Sequence, residues 1–113
     1  MRKAKTPTQL EKDWSKAFKQ LFETLGYEGY HPFLSIYSDR GYPDWSLFNV
    51  HQARHIWVEL KTDAPSSKLS PAQARYRDLI FACGGEFYCL RPRDFDDAAK
   101  ILQHKPEVNR WLD

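Results

Sequence analysis

No apolar run in the sequence approaches the roughly 18 residues that a membrane span needs, and its polar first residues lack the apolar stretch of a signal peptide. Both absences exclude a membrane partner from the reading and make a cytoplasmic location the expectation. Cysteine is scarce: Cys83 and Cys89 lie in apolar surroundings without the spacing of a metal site. In a cytoplasmic chain they read as buried free thiols. A strong charge imbalance is missing too, since 17 Lys and Arg against 15 Asp and Glu leave a formal +2. Net charge alone therefore marks neither a nucleic-acid binder nor a membrane binder. Repeats and low-complexity stretches are also lacking, and glycine and proline fall where elements should turn.

What the sequence does hold is enough apolar side chain for one core. At 113 residues, 42% hydrophobic and 15% aromatic, it reads as a single domain spanning 1–113. Its charge is unevenly placed. Arg2, Lys3, Lys5, Lys12, Lys16 and Lys19 face only Glu11 and Asp13 over the first 20 residues, a local +4 attractive to phosphate.

Leu10, Trp14, Ala17, Phe18, Leu21 and Leu25 recur at the spacing of one helix face, closed by Gly26. Residues 31–37 are rich in strand formers. After a turn over 38–43, residues 44–50 and 55–61 read as two strands of a hairpin. Ser70-Pro71 opens a second helix with apolar face Ala72, Tyr76, Leu79, Ile80 and Cys83, closed by Gly84-Gly85. Residues 86–91 form a fourth strand, and 94–103 with 106–112 give one or two terminal helices. The order αβββαβα, with a strand-helix-strand passage over 55–91, predicts an α/β mixed sheet of about four strands flanked by helices.

Glu59 and Lys61 interrupt an otherwise apolar strand and share one of its faces, opposite Val58 and Leu60. The simple alternative is an ion pair at a solvated edge. Asp44, directly after Pro43, starts the neighbouring strand, so a hairpin brings its carboxylate towards Glu59. Two converging carboxylates with a lysine nearby suit a hard divalent cation and phosphodiester chemistry. The alternative for Asp44 is a turn residue accepting local main-chain bonds. Glu11 borders the apolar stripe of the first helix, while Glu23 points away; Thr8-x-x-Glu11 equally fits a capping box. Gln73 carries the same ambiguity, in Ser70-x-x-Gln73, beside a helix amino terminus suited to phosphate. His31 reads as a hydrogen-bonded structural histidine or a site residue. His51 and His55 have a zinc-like i, i+4 spacing but lie on turn and strand, and Trp45 and Trp57 read as core before stacking platforms.

Gly41-Tyr42-Pro43-Asp44, then Glu59-Leu60-Lys61-Thr62, then Lys68-Leu69-Ser70-Pro71-Ala72-Gln73 resemble the PD-(D/E)XK nuclease superfamily, and within it the VRR-NUC (virus-type replication-repair nuclease) branch. Glu11, Gly26-Tyr27 and His31, and later Gly85, Tyr88, Arg91 and Pro92, also fall at matching spacings. The resemblance implies a restriction-endonuclease-like fold and a Mg2+- or Mn2+-dependent DNA endonuclease of phage, prophage or repair type in a bacterial or phage-infected cell. It implies a catalytic set of Asp44, Glu59, Lys61 and Gln73, a metal set of Glu11, Asp44, Glu59 and Leu60, and DNA contacts at Lys12, Arg40 and Lys68. Branched DNA, as junctions or flaps, is the implied partner. A homodimer is expected because paired cuts need two sites, and Tyr30, Phe33, Tyr37 and Phe48 exceed the needs of one small core. The rival readings are a binding module that keeps the nuclease fold without catalysis, and a small interaction protein whose carboxylates are turns and caps.

Overall fold

The computed structural model describes residues 5–32 and 40–113. Helix α1 runs Pro7–Thr24, strand β1 Glu28–Tyr30, β2 Trp45–Asn49, β3 Arg54–Leu60, helix α2 Pro71–Ala82, β4 Glu86–Leu90 and helix α3 Phe95–Gln103, entered through a 3-10 turn at Pro92–Asp94. The four strands form one mixed sheet in the order β1-β2-β3-β4. The two hairpin pairings are antiparallel and β3 with β4 is parallel, connected through α2. This is the α/β architecture and element order that the periodicities predict.

Helix α1 begins earlier than expected. Thr6 accepts from the Gln9 N–H at 3.2 Å, and the Gln9 side chain accepts from the Thr6 N–H at 2.9 Å. Pro7 takes the first helical position, where its missing N–H costs nothing. The box is thus Thr6-x-x-Gln9 rather than Thr8-x-x-Glu11, and Glu11 has no capping duty. Trp14, Phe18 and Phe22 descend one face of α1 onto the sheet. Ala98, Ile101 and Leu102 of α3 join them over Leu47, Ile56, Val58, Tyr88 and Leu90. The Trp14 indole N–H donates to the Leu90 carbonyl at 3.0 Å, which brings the amino-terminal half of α1 to the end of β3 and β4.

The first strand is Glu28–Tyr30, ahead of the expected 31–37. It forms at once after the helix-ending turn because Gly29 has no side chain: a Cβ there would sit 2.5 Å from Phe22 Cζ. His31 and Pro32 follow it outside the strand, and 33–39 lies outside the described residues, with Phe33 and Tyr37. The expected helix over 106–112 is absent. Its polar groups serve the outer side of β4 instead, where Trp111 O accepts from Cys89 N at 2.8 Å and Asn109 Nδ2 donates to Phe87 O at 2.7 Å. That occupies part of an otherwise open sheet edge.

Helix α2 covers the other face of the sheet lightly, with no residue fully buried. Leu79 and Cys83 of its expected apolar face are exposed. Cys83 is therefore a surface thiol, while Cys89 is buried as expected. Trp45 belongs to the core; Trp57, on the α2 face, is half-buried. Tyr30 and Phe48 are exposed.

Candidate active site

The antiparallel register pairs Trp45 with Val58, so the residue before β2 meets the end of β3. Asp44 Oδ2 accepts from the Leu60 main-chain N–H at 2.8 Å. That bond spans 16 positions, so Asp44 is not a local turn acceptor. It ties its own carboxylate to the strand end that carries Glu59 and Lys61. His31 Nδ1 donates to the Asp44 carbonyl, and its ring packs 4.7 Å from that of Trp45. His31 is thus a structural histidine that touches the main chain of a site residue.

Glu59 is 3% exposed. Its Oε1 accepts from Gln73 Nε2 at 3.1 Å, and its Oε2 is buried with no hydrogen-bond partner. Burial, then the neighbouring Asp44 carboxylate, push the Glu59 carboxyl from its ordinary 4.5 up to about 9, against the opposing pull of Lys61. Lys61, half-buried, continues the ladder with its N–H donating to Leu90 O at 3.0 Å. Ion pairs among the described residues join Lys5 to Asp13, Arg54 to Glu86 and Arg77 to Asp78. Glu59 and Lys61 are not among them, so the solvated-edge ion pair does not describe this triplet.

Gln73 holds two positions at once. Its Oε1 accepts from Ser70 N at 2.8 Å, Ser70 Oγ accepts from Gln73 N at 3.2 Å, and its Nε2 reaches Glu59. Capping and site contact coexist because one amide offers an acceptor to the helix start and a donor to the strand. Gly41 permits the close packing behind this. At φ +83° it lies against the first turn of α2, where a Cβ would sit 2.3 Å from the Ala72 carbonyl carbon.

The remaining candidates are spread more widely. Leu60, whose N–H is taken by Asp44, can offer a metal only its main-chain carbonyl. Glu11 is exposed on α1, and among the described residues no hydrogen bond or ion pair joins it to Asp44 or Glu59. Nor do three or more His, Cys, Asp or Glu side chains there form a metal-holding group. Lys12, Arg40 and Lys68 are all exposed. His55 is stacked between aromatic rings, away from any zinc set. Arg91 was visible in the sequence only as part of the closing pattern: it is 7% exposed, and its Nη1 donates to the carbonyl of Thr62, the residue after Lys61. An arginine directly after the apolar run Phe87–Leu90 was the available signal.

An orphaned, buried carboxylate oxygen beside a second carboxylate fits a hard cation held by oxygen donors. No protein-family model and no curated protein matches the chain. A solved structure described as a VRR_NUC domain superposes with a TM-score of 0.67 at 24% identity, over 85% of this chain and 97% of that one. The chain has the VRR-NUC fold. Asp44, Glu59 and Gln73 thus gather where the β2-β3 hairpin and the start of α2 meet, with Lys61 two residues beyond Glu59.

Proposed function

We propose that the chain is a magnesium- or manganese-dependent DNA endonuclease that hydrolyses phosphodiester bonds, selective for branched DNA such as junctions or flaps, of phage or repair type. The observation that carries this reading is the Glu59 carboxylate, buried with one oxygen unpartnered and Asp44 beside it. A group so placed must take a proton or a cation, and carboxylate oxygens select hard divalent ions. Asp44, Glu59 and the Leu60 carbonyl would hold the ion, and Glu11 would have to reach it from the exposed side of α1. A bound divalent ion there supplies Lewis acidity and a lowered water pKa. Lys61, on the Glu59 face of β3, orients the attacking water and offsets charge gathering on the scissile phosphate. Gln73 holds Glu59 in orientation from the amino terminus of α2, where main-chain donors favour phosphate. Lys12, Arg40 and Lys68 contact the DNA backbone.

One site cuts one strand, so paired cuts in a branched duplex call for a two-fold dimer. The short edge strand β1, with Tyr30 62% exposed, is consistent with a second copy pairing there. The second reading, a binding module without catalysis, draws on Glu11 standing apart from the carboxylate pair.

Incubation with supercoiled plasmid separates the two. Nicking in Mg2+ or Mn2+, with Ca2+ bound but inactive, supports the nuclease. Retardation without nicking supports the binding module, and undiminished cleavage in excess chelator would sink the metal assignment. Four-way junction, flap and linear duplex compared side by side test selectivity: equal rates on all three would remove it.

A further inference from the structure

We infer that the α2 face of the sheet carries a stacking site for an unpaired DNA base, built on Phe48 and aligned with the carboxylate site; this rests on the nuclease reading. Three rings form a column across β2 and β3. Phe48 and His55 are register partners with ring centroids 4.3 Å apart and planes 20° from parallel. The His55 ring lies 3.8 Å from that of Trp57. The column is held at its inner end, where the Trp57 indole N–H donates to the Tyr42 hydroxyl at 3.1 Å and Tyr42 meets Tyr76 of α2 edge to face. Burial lowers the His55 pKa, so its ring is neutral and the column uncharged at neutral pH.

The outer end is open. Phe48 is 43% exposed: among the described residues Phe81 of α2 packs on Phe87 of β4, and no ring of α2 reaches Phe48. A flat ring beginning a fixed column invites another flat ring, and every base has a π-face. Strand alternation makes the direction of the site functional: His55, Trp57, Glu59 and Lys61 are successive same-face residues of one strand. The column therefore leads along β3 into the carboxylates, about 13 Å from His55 to Glu59. Bases of a duplex are already stacked and paired, so the occupant is an unpaired strand such as that of a flap.

The test is anisotropy of a labelled single strand and a blunt duplex of equal length, titrated with the full chain in metal-free buffer. Phe48→Ala should weaken single-strand binding roughly five- to a hundredfold and leave duplex binding within about twofold. Phe48→Leu, which keeps apolar bulk without a ring, should behave like alanine; Phe48→Trp should retain binding. A single strand carrying 2-aminopurine should be quenched by the parent chain and not by Phe48→Leu. Equal loss on duplex and single strand, no loss on either, or a change of oligomeric state in light scattering with Phe48→Leu would each overturn the stacking site. Plasmid nicking by the parent chain is read separately, so failure of the nuclease reading is distinguishable from failure of this one.

Discussion

At the residue scale, the proposed chemistry and the electrostatics of the site centre on Glu59. The folded chain holds its proton to about pH 9, whereas the unfolded chain releases it near 4.5. Between those values the folded state binds more protons, so metal-free stability falls as pH rises across that window. Melting temperature measured from pH 5 to 9 without metal should decline for the parent chain and stay flatter for Glu59→Gln, which should be the more stable of the two at high pH. Asp44→Ala, Glu59→Ala and Lys61→Ala should each slow plasmid cleavage by at least about a hundredfold while remaining folded; three folded variants that cut normally would remove the site. Glu11→Gln is expected to cut activity without moving the melting temperature, because Thr6 and Gln9 cap α1 without it. Much of this site was legible in the sequence. The Asp44 and Glu59 pairing followed from hairpin geometry, and the two duties of Gln73 from one capping pattern. The burial of Glu59 was not, since a Glu-x-Lys triplet reads the same whether its strand end is wet or closed by a helix.

Elements explain where reading failed. Strand β1 is not legible from local alternation because its three residues depend on Gly29 fitting under Phe22 of α1 and beside Leu47 of β2. Thr8-x-x-Glu11 fits the capping pattern, but Pro7 takes the first helical position and makes Thr6 the cap. Residues 106–112 have helix-like content, but β4 needed edge partners and took them. By contrast α2 was bounded correctly by Ser70-Pro71 and Gly84-Gly85. Its coupling to the site gives a prediction: Gly41→Ala combines an unfavourable φ with a main-chain clash at Ala72. It should cost more than about 1 kcal/mol in denaturant unfolding and slow cleavage by displacing Gln73. Unchanged stability and rate would show that the turn and α2 are not coupled.

At the scale of the molecule, the sheet has two ends with opposite characters. At one, Arg54 and Glu86 form a bidentate, largely buried pair, joined by the Tyr27 and Tyr88 hydroxyls and the Leu102 carbonyl. Its polar atoms are satisfied and it locks the turn after α1 to β3, β4 and α3. Burial opposes the Glu86 charge, but hydrogen bonds from Arg54 and Tyr88 outweigh it and hold the carboxyl below its ordinary value. That stability is present above the ordinary glutamate range and lost as pH falls through the lowered value. At the other end Glu59 Oε2 meets no donor among the described residues and faces the Asp44 carboxylate. The proposed metal site lies at the end whose buried carboxylate is left open.

The most direct test is calorimetric titration of Mn2+ into the full chain at several pH values. A cation entering between Asp44 and Glu59 must displace the Glu59 proton, so affinity should rise about tenfold per pH unit between roughly pH 6 and 8, with close to one proton released. Asp44→Ala and Glu59→Ala should abolish that binding. Mn2+ bound equally by both variants, or with no pH dependence in the parent chain, would contradict a metal centre at these carboxylates.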